Sequence, residues 1–136
     1  MAPLAMRWSD VFLVFLVSHL VGDFLFQTGW QARNKFGALG GGGKPLALLA
    51  HGATYLVAFV PATVWLWVDG RPGAWSLGLL ALIVVPHVLQ DDGRLLIRYI
   101  EVVKRSPAAA GDRLFVMVDQ SFHILALFGV ALLATA

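Results

Sequence analysis

Apolar positions fall into four long stretches, at about residues 11–30, 46–68, 75–97 and 114–136, separated by short segments rich in glycine, proline and charge. Each stretch has the roughly 20 residues that a helix needs to cross the hydrocarbon core of a bilayer. Backbone amides in lipid have no water to bond, so spans of this length are expected to be helices. Trp8, Trp30, Trp67 and Trp75 lie near the proposed ends, where indole rings favour the interface. The pattern predicts an all-α fold, a single integral membrane domain over residues 1–136 with four transmembrane helices in a bundle.

The connections differ in character. Residues 37–44 contain Gly40, Gly41, Gly42 and Gly43 and lead into Pro45, which reads as a mobile loop followed by a helix start. A phosphate-loop reading of this run fails, because Lys44 is followed by proline and no strand precedes it. Residues 68–73 read as a tight turn, and residues 106–112 as the last loop. After the third span, Arg94, Arg98, Glu101 and Arg105 recur at helical spacing among apolar residues. This predicts an amphipathic extension of that span or a separate interfacial helix.

Composition agrees with a membrane setting. Apolar residues make up 59% of the chain and charged ones 13%, too few to clothe a soluble fold. A net charge of +2, with its basic residues in loops, gives no footprint for nucleic acid. The absence of cysteine excludes disulfides and thiolate sites. Arg7 and the apolar run after it suggest a signal peptide, but no small-residue cleavage site follows Ser18, and the segment reads as a retained helix. Arg33, Lys35, Lys44, Lys104, Arg105 and Arg113 sit in two loops on one side, with Arg94 and Arg98 close by, against Arg7 and Arg71 on the other. The excess of basic residues predicts a multi-pass membrane protein with both termini extracytoplasmic.

The chemistry lies inside the spans. All four histidines, His19, His51, His87 and His123, fall within them. Three have an aspartate four residues away, which is one turn on the same face: His19 with Asp23, His87 with Asp91, and Asp119 with His123. Their placement is late, early, late and early in spans that alternate in direction, which puts all seven groups in one layer on the cytoplasmic side. An aspartate near a helix centre costs about 2.5–3.5 kcal/mol, so three of them need an offsetting partner. A divalent cation suits neutral imidazole and ionised carboxylate together. His19, Asp23, His51, His87, Asp91, Asp119 and His123 are therefore the expected metal ligands, for zinc, manganese or iron, with donors enough for two ions. Asp23, Asp91 and Asp119 are the candidate catalytic carboxylates. Gln27, one turn beyond Asp23, is a candidate substrate contact. So are Arg94 and Arg98, which continue the stripe of His87 and Asp91. Asp92 points about 100° from Asp91 and is expected to meet solvent or Arg94. Gln120 and Ser121 read as packing or outer-shell polar groups.

The set His19-x-x-x-Asp23-x-x-x-Gln27, a histidine early in the second span, His87-x-x-x-Asp91 and Asp119-Gln120-x-x-His123 resembles a family of small bacterial integral membrane proteins known only as a domain of unknown function. That family is similar in pattern to proposed metal-dependent inner-membrane hydrolases, suggested to act on phospholipids. The resemblance implies the four-helix fold and the polar constellation. A lysine often follows the third-span aspartate in the family, whereas here Asp92, Gly93 and Arg94 follow Asp91, which leaves Arg94 as the stand-in. The expected function is a membrane-embedded metal-dependent hydrolase of a phosphoester, lipid or lipid-linked, at the cytoplasmic leaflet, with membrane lipid as partner and a homo-oligomer allowed. The alternatives are a cation or proton transporter or channel subunit, a haem-binding carrier, and a passive subunit of a membrane complex.

Overall fold

The computed structural model describes residues 6–70 and 73–136. Arg71 and Pro72, in the turn expected at residues 68–73, lie outside that set. The described residues form helices without a strand: α1 (Trp8–Leu20), a π-helical turn (Val21–Phe26), α2 (Gly29–Asn34), α3 (Pro45–Val68), α4 (Gly73–Asp91), α5 (Arg94–Val102) and α6 (Arg113–Ala134). Four helices are long and apolar enough to cross a membrane: Trp8–Phe26, Pro45–Val68, Gly73–Asp91 and Arg113–Ala134.

The four long helices pack as a ring, with α1 between α3 and α6 and α4 closing the other side between the same two. Val11, Phe15, Phe59, Leu66, Leu79, Ile83 and Leu127 fill the half remote from the glycine loop. Ala58, Ala62, Ala131 and Ala134 are buried among them, small enough to let the helices approach. The outer face is the inverse of a soluble protein: Leu13, Val17, Leu49, Val57, Leu77, Val85 and Leu125 are exposed, while all four histidines are buried. Such a surface suits contact with lipid in place of water.

Two expected boundaries move, for local reasons. The first span ends at Phe26 instead of residue 30, because Gln27 is extended and Thr28 starts a new helix. Thr28 accepts from the Gln31 backbone N–H while the Gln31 side chain accepts from the Thr28 N–H, so a reciprocal capping box outcompetes continuation of the span. The third span ends at Asp91 instead of residue 97, because Gly93 takes a left-handed conformation with φ +76°. The amphipathic segment is therefore a separate helix, α5, whose Leu96 and Ile100 pack on Val118 of α6.

The glycine run, expected as a mobile loop, is folded against that break. The Gly37 N–H donates to the Asp92 carbonyl at 2.8 Å, and the Leu39 N–H donates to Asp92 Oδ1 at 2.7 Å. Arg94 lies across it, donating to Asp92 Oδ2 at 2.6 Å and to the Leu39 carbonyl at 2.7 Å. Asp92 does meet Arg94, but it is buried instead of solvated.

Gly93 is the weak point of this assembly. A Cβ there would stand 2.5 Å from Cδ2 of Phe36 in a conformation that side chains resist. Gly93→Ala should lose about 1–2 kcal/mol to the backbone and about 1–3 kcal/mol to overpacking. The check is a denaturation midpoint in detergent, and a midpoint equal to wild type would contradict the left-handed stop.

Candidate metal centre

Each ring helix delivers its polar groups to the end of the bundle that the glycine loop covers. The π-helical turn adds a residue per turn relative to an α-helix and marks functional distortions in many helices. Here it carries Asp23 and packs on α3, with Gly22 held against Tyr55, where a Cβ would stand only 2.6 Å from Cδ2 of the ring. His51 comes from the second turn of α3, His87 and Asp91 from the last turns of α4, and Asp119 and His123 from the first half of α6.

All seven expected ligands meet. The imidazole ring centres of His19 and His123 are 5.4 Å apart, those of His87 and His123 4.5 Å, and those of His51 and His87 5.1 Å. The three pairs spaced by four residues approach as the helical turn requires: His19 to Asp23 at 3.6 Å, His87 to Asp91 at 3.0 Å and His123 to Asp119 at 3.5 Å. Asp91 is the hub. Its Oδ2 lies 2.8 Å from Nε2 of His51 and 3.0 Å from Nε2 of His87, while Oδ1 lies 3.9 Å from Nε2 of His123. Asp23 Oδ1 faces the same two nitrogens at 3.4 and 3.5 Å.

These approaches are not a closed hydrogen-bond network. Asp23 Oδ1, Asp91 Oδ2, Asp119 Oδ1 and His123 Nε2 are buried with no hydrogen-bond partner. Orphaned acceptors in a low-dielectric interior are expensive unless a cation meets them. Among the described residues, three overlapping groups could hold a metal ion: His19, Asp23 and His87; His51, His87 and Asp91; and Asp91, Asp119 and His123.

Hydrogen bonding divides the histidines. The Gln120 amide nitrogen faces the carboxylate oxygens of Asp23 and Asp119 at 3.3 and 3.4 Å, so its carbonyl oxygen faces His19 Nε2 at 3.0 Å. That oxygen only accepts, so His19 carries its proton on Nε2, and its Nδ1 accepts from the Tyr55 hydroxyl at 3.1 Å. Both nitrogens of His19 are thus engaged in positioning Gln120 and Tyr55. His123 is the opposite case: Nδ1 donates to the Asp119 carbonyl at 2.8 Å, which leaves Nε2 as a free lone pair. His87 is oriented by stacking on Tyr55, with ring centres 3.4 Å apart and planes 8° from parallel.

Three contributors were absent from the expected site. Lys35, counted in sequence only as a loop charge, places Nζ 2.7 Å from Asp91 Oδ1. Tyr55 is not among the residues singled out in sequence, although it lies one turn from His51. Gln120 was read only as a packing or outer-shell polar group, yet it ties His19 to two carboxylates. A cavity of about 910 Å³ rises from Asp23, Asp91, Asp119 and Gln120 and is bordered by Gln27, Arg33, Lys35 and Lys44, with Phe24, Phe115 and Val116 as apolar wall. It lies where the π-helical turn leaves α6 to pack on α3. Gln27 is brought to this cavity, whereas Arg94 and Arg98 are not: Arg94 is bound to Asp92 and the glycine loop, and Arg98 is exposed on α5.

The family model described as "Protein of unknown function (DUF3307)" matches residues 11–136. The chain belongs to DUF3307. No curated protein and no solved structure matches it. The match to DUF3307 spans all four long helices apart from the first residues of α1, and every group of the centre falls within it.

Proposed function

We propose that this DUF3307 protein is a membrane-embedded, metal-dependent hydrolase of a phosphoester, lipid or lipid-linked. The observation that carries the reading is the cavity itself, in which Arg33, Lys35 and Lys44 line the wall together with Asp23, Asp91 and Asp119, carboxylates of the buried cluster that each keep an unpartnered oxygen. Basic groups over a ligand cluster suit an anionic substrate better than a passing cation.

His51, His87, Asp23 and Asp91 fit a divalent ion, zinc or manganese by ligand type. Such an ion supplies a Lewis acid for a phosphoryl oxygen and makes water a stronger acid. The chain's own groups do the rest. Lys35, Arg33 and Lys44 face the substrate's negative charge, and the Gln27 amide orients it. Asp119, with Oδ1 unpartnered on the cavity wall, accepts the proton of the attacking water. The apolar wall at Phe24 and Val116 continues onto exposed surface, which allows an acyl or isoprenoid tail to stay in lipid while the headgroup enters. A transport path through one chain would need polar groups in the other half of the bundle, and Phe15, Phe59, Leu79 and Leu127 fill it.

The test is release of phosphate or headgroup from phosphatidic acid and other phospholipids in mixed micelles by manganese- or zinc-loaded protein. Turnover abolished by chelation and lowered about 10²–10⁴-fold in Asp119→Asn is the expected result. Metal-loaded protein that cleaves no phosphoester in any such micelle would overturn the assignment.

A further inference from the structure

The sequence offers donors for two ions, and the structure places something else at the second position. We infer that the centre takes a single divalent ion, at His51, His87, Asp91 and Asp23, and that the Lys35 ammonium stands where a second ion would sit beside Asp91, Asp119 and His123. This rests on the metal-centre reading above and deepens it.

Geometry separates the two positions. A tetrahedral ion with bonds of 2.0–2.1 Å sets its ligand atoms about 3.3 Å apart. Five of the six separations in the first set approach this: His51 Nε2 and His87 Nε2 are 3.0 Å apart, Asp91 Oδ2 is 2.8 and 3.0 Å from them, and Asp23 Oδ1 is 3.4 and 3.5 Å from them. The second set consists of Asp91, Asp119 and His123, and Oδ1 of Asp91, the oxygen nearer His123, is already taken by Lys35 Nζ at 2.7 Å. His123 Nε2 and Asp119 Oδ1 are buried without hydrogen-bond partners.

Charge gives the same answer independently. Asp23, Asp91 and Asp119 bring three negative charges, and one divalent ion with Lys35 balances them to zero. Two ions with Lys35 would leave two positive charges buried in the bundle, and none would leave two negative, both unfavourable at this depth. Lys35 is also held in place from both sides of its loop. The Thr28–Gln31 capping box fixes α2, at whose end it sits, and Asp92 and Arg94 anchor the segment that follows. A cation so fixed, on the cavity wall, meets an anionic phosphoryl oxygen in the place where a two-ion enzyme uses its second metal.

The measurement is metal per chain, by elemental analysis of full-length protein loaded with manganese or zinc in detergent and desalted. Wild type should hold about one ion, and Asp119→Asn should also hold about one. Lys35→Met frees Asp91 Oδ1 and should approach two, falling back to about one when His123→Ala is added, while Lys35→Arg stays at one. Manganese spectra should be those of an isolated ion in wild type and of a coupled pair in Lys35→Met. Two ions in wild type, halved by Asp119→Asn, would overturn the inference and leave the metal centre standing. So would one ion in a folded Lys35→Met protein. No ion in wild type would sink this inference and the hydrolase reading together, whereas one ion without phosphoester turnover would sink only the latter.

Discussion

Asp91→Asn should empty the centre, weakening divalent-metal affinity by more than the roughly 10–100-fold that loss of an outer-shell partner causes. Asp91 is the one carboxylate in contact with His51, His87 and Lys35 together. An asparagine there keeps the size and loses the charge, and its orientation is forced. Lys35 has only donors, so the amide oxygen must face it. The amide NH₂ is then turned toward Nε2 of His51 and His87, where the ligand oxygen stood, and a donor replaces an acceptor at the ion. Asp23→Asn should act in the same direction with a smaller loss, because the neutral Gln120 amide at 3.3 Å fixes the orientation less firmly than the Lys35 ammonium at 2.7 Å. Insertion should persist in both, since a buried charge without its ion is itself unfavourable. Metal per protein in purified mutant and wild type decides the matter. Wild-type stoichiometry and affinity in Asp91→Asn would mean that Asp91 is not a ligand.

The four long helices and the convergence of histidines and aspartates were legible because both follow from one-dimensional rules. Span length is fixed by bilayer thickness, and groups at matching depth on alternating spans must share a layer. Lys35 was not legible, since its place depends on a chain reversal after the first span. The local signal was present in Thr28-x-x-Gln31, but the apolar residues from Phe24 to Trp30 concealed it within a continuous stretch. Gly93 was a similar signal: a glycine after the last polar turn of α4 separates α5 from the span and turns Arg94 away from the cavity. Tyr55 could have been found, because it lies four residues after His51 on the same face. The stacking on His87 that gives it a role is a contact between helices, which no pattern within one helix reveals.

The second large effect is one of orientation, which decides the leaflet that the cavity serves. Arg33, Lys35, Lys44, Arg94, Arg98, Lys104, Arg105 and Arg113 lie at the end of the bundle that carries the centre, against Arg7 at the other. Lys35 and Arg94 are bound to aspartates in the folded protein, but orientation is set during insertion, before those contacts exist, so each counts in full. Residues near span ends dominate this bias, and most of these lie within about 15–20 residues of one. A reporter active only outside the cytoplasm, fused after Ala136, should therefore give nearly all its signal, and one active only inside almost none. The same end of the bundle carries α5, whose apolar face packs on α6 and whose exposed Arg98 would, in this orientation, meet the anionic headgroups of the inner leaflet. The opposite reporter result would reverse the bundle and place the cavity, with its arginine and lysines, at the outer leaflet. The substrate would then have to be a phosphoester presented outside the cell, and the metal centre would be unchanged.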